Sequence, residues 1–214
     1  MFGRIAPRYD LANHLLSAGA DFIWRKRASR IVEQWKPQRV LDLATGSGDL
    51  ALALQKRLPS AKIIAADFSE RMIELARRKG IENAIVADAL DLPFENDSFD
   101  AVTIAFGLRN MADWAAALRE ICRVLVPGGH LLILDFALPM GILRPLYRTY
   151  LHIFLPRIAA LVTGTPEAYA YLGDSIEAFP SGSAMLGLIE QNGFRSATAT
   201  PLTAGIATIY TAQL

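Results

Sequence analysis

The sequence predicts an α/β fold: a mostly parallel sheet with helices on both faces, an antiparallel last strand and a helical cap insertion. Three observations predict it. Short apolar strand patterns alternate with helical ones from residue 39 to residue 136, as in a parallel sheet buried on both faces. Near the C-terminus "GFRSATATPL" and "IATIYTAQL" are extended runs joined by a few residues around Gly205. That connection cannot hold a crossover helix, so the two strands should be antiparallel. The segment 137–180 is too long for an ordinary connection and rich in aromatic residues, hence the cap.

Each element has its own signal. "RVLDLA" (39–44), "KIIAAD" (62–67), "AIVAD" (84–88), "DAVTIAF" (100–106) and "HLLILDF" (130–136) read as strands. Helices are expected at 49–58, 69–79 and 113–126. Ser69 can cap the second, and Pro127 stops the third before the glycine turn of "VPGGH". Such β-α-β alternation closed by an antiparallel hairpin is the layout of the Rossmann-like class I methyltransferase fold. The 214 residues suit a single domain, 1–214, with 137–180 as its cap and substrate region.

Composition narrows the function. Lys plus Arg total 22 against 21 Asp plus Glu, a net charge of +1, so no nucleic acid partner is expected. Cys122 is the only cysteine and there are three histidines. That excludes an internal disulfide framework and a cysteine-rich zinc site, leaves no metal expected, and suits a reducing, cytoplasmic setting. The N-terminus shows no signal-peptide pattern. Apolar residues make up 52%, richest over 131–162, but three prolines, Asp135, Arg144, Arg148 and Arg157 break that run. An apolar surface or tunnel fits it better than a membrane span.

The turn after the first strand, "TGSGD", carries Gly46 and Gly48. Glycine lets a backbone approach a ligand closely, though it also serves turn geometry alone. Asp67 closes the second strand about 20 residues later, the interval for a carboxylate on a ribose; it can equally cap the helix beside Ser69. Asp49 can meet a cationic ligand or simply favour the helix dipole. Ribose binding does not separate NAD from S-adenosylmethionine. Asp88 and Ala89 closing the third strand, followed by "RVLVPGGHLLIL", favour S-adenosylmethionine. A dehydrogenase would need a Tyr-x-x-x-Lys pair or a His/Arg hydride-transfer set, and neither is present.

"FGRIAPRYDLANHLLSAG" (2–19), "AFGLRNMAD" (105–113), "ADALDLPFENDSFD", "LREICRVLVPGGHLLILDFALP", "YAYLGDSIEAFP" and "LTAGIATIY" follow one another along the chain. Together they resemble the ubiquinone/menaquinone biosynthesis C-methyltransferases, with "FGLRN" the most specific element. The resemblance implies methyl transfer from S-adenosylmethionine to a ring carbon of a demethylated prenyl quinol. By position it places cofactor contacts on Ser47, Asp67, Asp88 and Ala89, with Gly46 and Gly48 as the backbone floor. Asp49, Phe68 and Ala105 complete the cofactor set. Ala105 stands where the family often has serine, Asp135 where it usually has glutamate, and "TGSGD" replaces the commoner "GTGD" form.

A quinol carbon becomes nucleophilic when a ring hydroxyl loses its proton, and orientation then does much of the work. Arg109 stays protonated and so is no base; it is expected to stabilise the phenolate, with Asn110 orienting the hydroxyl or a water that takes the proton. The plainer reading is a loop cap that holds Asp113. Tyr9, Asn13, Tyr147, Tyr150, Phe154 and Tyr171 are the expected substrate residues, with Tyr169 and Phe179 in the same aromatic set. Arg144, Arg148 and Arg157 suit anionic head groups, which points to a peripheral position at the cytoplasmic face of the membrane; a homodimer is compatible. Two rivals remain: the same fold acting on another small aromatic compound, and a non-catalytic S-adenosylmethionine-binding subunit of a quinone-synthesis assembly.

Overall fold

The structure is a computed structural model that describes residues 17, 19–139, 141–154 and 173–214. A seven-stranded sheet runs in the order β3-β2-β1-β4-β5-β7-β6. Its strands are β1 (Arg39–Leu43), β2 (Lys62–Asp67), β3 (Ala84–Val86), β4 (Phe99–Ala105), β5 (Leu125–Phe136), β6 (Arg195–Leu202) and β7 (Ala207–Gln213). Strands β1 to β5 pair in parallel, and β7 pairs antiparallel with both β5 and β6. The last strand therefore slots inside the sheet, and the first strand of the hairpin becomes its outer edge.

The helices are α1 (Ala20–Trp35), α2 (Asp49–Arg57), α3 (Glu70–Arg78), α4 (Trp114–Val124), α5 (Leu143–Thr149) and α6 (Ser183–Gln191). A π-helical turn, Tyr150–Phe154, continues α5, and 173–178 is also helical. Capping explains two starts: Ser69 Oγ accepts from Met72 N, and Asp113 Oδ1 accepts from Ala116 N at 2.9 Å. Residues alternating along the strands fill two cores. Val40, Ala101 and Leu132 pack with Trp24 and Leu54 on one face; Leu41, Val102 and Ile133 pack with Leu118 and Ile189 on the other.

Four features differ from the sequence expectation. The glycine turn of "VPGGH" does not precede β5 but bulges within it, since Leu125 pairs with Phe99 and His130 with Ala101. Strand β3 stops at Val86, so Asp88 opens a turn rather than ending the strand. Phe179 leaves the aromatic set of the cap: it packs edge-on against Trp114 in the core on the opposite sheet face from Tyr147. Helix α1 went unrecognised because its inner face carries Asp21, Arg25 and Ser29 among Trp24, Ala28 and Val32, which blurs the apolar stripe.

Candidate active site

The carboxyl ends of β1, β2, β3 and β4 open on a cavity of about 340 Å³, at the edge where open α/β sheets bind ligands. Gly46, Ser47, Asp49, Asp67, Phe68, Asp88, Ala89, Ala105 and Asn110 all line it. Gly48 lies just beneath, as the residue before α2; its φ is +87° and a Cβ would fall 2.1 Å from Ile81 Cδ1. Gly46 has φ +58° and a Cβ there would meet nothing within 4 Å, so the floor at that point is bare backbone facing open space.

Two non-glycine residues of the lining also hold left-handed backbone, Ala44 at φ 51° and Phe106 at φ 61°. Such conformations cost about 1 kcal/mol or more each and gather at functional sites. The two turns interlock: a Cβ on Gly107 would lie 2.4 Å from the Cβ of Ala44. The glycine of "FGLRN" is thus demanded by its contact with the first turn.

Four carboxylates face the cavity. Asp67 ties the first turn to α3, accepting from Gly46 N at 2.8 Å and Ser69 N at 2.9 Å. Burial pushes its pKa up against those two bonds. Asp88 accepts from Leu90 N at 2.9 Å, and Asp49 accepts from Lys79 Nζ at 2.7 Å. Lys79 also donates to Ser47 Oγ at 2.5 Å, holding both residues at the rim. The fourth, Asp42, was not singled out from the sequence. It accepts from Thr45 at 2.5 Å and Thr103 at 2.7 Å, and burial lifts its pKa to about 6 despite those hydroxyls and nearby Arg25. The available signal was a lone charge inside the apolar run "RVLDLA". Arg25, likewise missed, reaches the cavity from α1, paired with Asp21 and lying 5.1 Å over the Phe106 ring.

Arg109 stands apart from the cavity lining. It is buried behind Phe106, where Nη1 donates to Phe106 O at 2.8 Å and to Asp135 Oδ1 at 2.5 Å, and it lies 5.3 Å over the Phe136 ring. Its carboxylate partner is therefore Asp135 and not Asp113, which caps α4. Asn110, next along the 3-10 turn Leu108–Asn110, does line the cavity, and its Nδ2 donates to Phe106 O at 3.3 Å. Tyr147 of α5 and Tyr150 just after it stack at 6.0 Å and do not line the cavity; Tyr147 is buried, with its hydroxyl unbonded among the described residues. Arg148 is bound to Glu177 through two bonds, at 2.7 and 2.9 Å. Tyr9, Asn13, Arg157, Tyr169 and Tyr171 lie outside the described residues, as does the side chain of Phe154.

Residues 1–213 match the model of the ubiE/COQ5 methyltransferase family. The chain belongs to this family. It is an S-adenosylmethionine-dependent methyltransferase. It is similar to a demethylmenaquinone methyltransferase from Thermus thermophilus, 49% identical over 98% of each chain. It also resembles a ubiquinone/menaquinone biosynthesis C-methyltransferase from Syntrophotalea carbinolica, 44% identical over 98% of this chain and 91% of the relative. Among solved structures, a methyltransferase described as a possible histamine N-methyltransferase from Thermotoga maritima superposes with a TM-score of 0.70 at 19% identity, covering 99% of this chain and 97% of that one. That likeness establishes the fold. The cavity suits the cofactor: four carboxylates line it, as a cationic ligand would require, and bare glycine backbone leaves room at the turn.

Proposed function

We propose that this methyltransferase C-methylates a demethylated prenyl quinol, of the demethylmenaquinol type, in quinone biosynthesis at the cytoplasmic face of a membrane. What carries the reading is the interlocked pair of turns, the glycine floor of "TGSGD" and the "FGLRN" loop locked against it by Gly107 on Ala44. The names of relatives that share almost the whole chain support the substrate class.

The cofactor supplies an electrophilic methyl group on a sulfonium. In our reading Asp42 and Asp49 offer negative charge to its cationic end, Asp67 and Asp88 accept from its hydroxyl and amine groups, and Phe68, 76% exposed, offers a ring face at the rim. Asn110 orients the quinol hydroxyl. Arg109 acts from behind Phe106, lowering the pKa of that hydroxyl through its charge in a water-poor setting. Tyr147 and Tyr150 form the apolar wall toward the tail, and the chain 1–214 acts as one domain with 137–180 as its substrate region.

The test is methyl transfer to reduced demethylmenaquinone and to a 2-methoxy-6-prenyl-1,4-benzoquinol. Turnover on either supports the prenyl-quinol reading; turnover on neither refutes it.

A further inference from the structure

Helix α1 turns two faces to different tasks. Trp24, Arg25, Ala28 and Val32 are buried, while Phe22, Ile23, Lys26, Arg27 and Arg30 are exposed. At 100° per residue these five fall within about 140° of arc, one continuous face. Phe22 and Ile23 are 59% and 69% exposed, large apolar side chains with three exposed cations beyond them. The one acid of the first turn, Asp21, is buried against Arg25 and offers that face no negative charge.

The helix runs opposite to the parallel strands. Trp24 packs on Phe106 and Phe136 at the carboxyl edge, and Trp35 stacks on His130 toward the other end of β5. The apolar pair therefore sits at the edge where the cavity opens, and the basic residues follow one and two turns farther along. Helix α5 and the residue before it also expose apolar groups, Leu146 and Ile142 among them, but Arg148 there is paired with Glu177, which leaves Arg144 as the exposed arginine of α5 outside that pair, against three exposed cations on α1. Charge complementarity to an anionic surface thus favours α1.

We infer that the outer face of α1 is a membrane-docking surface: Phe22 and Ile23 enter the lipid interface while Lys26, Arg27 and Arg30 meet anionic phosphate head groups. The inference rests on the prenyl-quinol reading for its purpose, because the helix that carries Arg25 into the cavity on its inner face would then hold its outer face against the layer containing the tail.

Flotation with vesicles of phosphatidylcholine, with and without about 30% phosphatidylglycerol, tests it. The chain should float with the anionic vesicles only, and added salt should weaken binding. The triple variant Lys26→Glu, Arg27→Glu, Arg30→Glu and the double variant Phe22→Ser, Ile23→Ser should each lose about tenfold or more in partitioning. Both should methylate a short-tailed quinol in solution at the rate of the unaltered chain. Wild-type flotation by both variants, or no flotation by the unaltered chain, overturns the inference. So does a drop in oligomeric mass in the variants with vesicle binding intact, which would make the face a contact between two copies. A failed quinol assay with intact flotation would instead count against the substrate reading alone.

Discussion

Arg109 Nη1 and Asp135 Oδ1 lie 2.5 Å apart with both side chains fully buried. The pair joins the "FGLRN" loop to the end of β5, so removing one partner strands a charge in the core, at a cost of about 3–5 kcal/mol. Arg109→Ala should abolish turnover and lower stability, yet leave cofactor affinity nearly unchanged, because Arg109 does not line the cavity. The pairing of Arg109→Met with Asp135→Leu should recover most of the stability and none of the activity. Calorimetry, thermal unfolding and turnover separate these outcomes, and wild-type rates in Arg109→Ala would dismiss the role given to it.

Asp42 sets a pH dependence. Its folded pKa of about 6 lies above its ordinary 3.8, so between those values the folded state binds more protons than the unfolded one. Stability therefore falls as pH rises from about 4 to 6, by about 3 kcal/mol from this group, and the loss persists above pH 6. Asp42→Asn should flatten that window and raise stability at pH 7. Cofactor binding should move the other way: a cation favours the ionised form, so affinity should weaken as pH drops from 7 to 5, and less so in Asp42→Asn. Titration calorimetry at both pH values checks this.

The contact of Gly107 with Ala44 makes a reciprocal prediction. Gly107→Ala forces a methyl into a 2.4 Å gap, which should weaken cofactor binding at least tenfold and destabilise the fold by about 1–3 kcal/mol. Adding Ala44→Gly removes the clash and suits the left-handed φ of 51° at that position, so the double variant should regain most of the affinity. No recovery would mean the two turns are not coupled through this contact.

Tyr147 keeps a buried hydroxyl that no described residue bonds, and burial pushes its pKa up. Tyr147→Phe should leave stability unchanged or raise it by about 1 kcal/mol, since an unsatisfied buried hydroxyl is costly. If that hydroxyl binds the quinol, KM should rise with little change in cofactor affinity. An unaltered KM would leave Tyr147 as wall packing only.

Legibility followed the physics of each region. Strands β1, β2 and β4 are continuous apolar runs buried on both faces, and their bounds in the sequence and structure agree within a residue or two. The cavity-lining set from Gly46 to Ala89 was readable because chemistry and turn geometry coincide there. Helix α1 was not, since Asp21 and Arg25 satisfy each other inside the face that ought to be apolar. For the same reason Arg25 and Asp42 escaped notice: a buried charge is justified by partners that only folding brings near. The burial of Arg109 behind Phe106 was equally hidden, because its partner Asp135 lies at the end of β5, far along the chain from the 3-10 turn.

The most direct measurement of the central claim is transfer of an isotopically labelled methyl group from S-adenosylmethionine to demethylmenaquinone, supplied reduced and oxidised. The account predicts label on a ring carbon of the reduced compound, one S-adenosylhomocysteine formed per methyl transferred, and no transfer to the oxidised form. Label on oxygen, or no transfer to the reduced quinol, would contradict it.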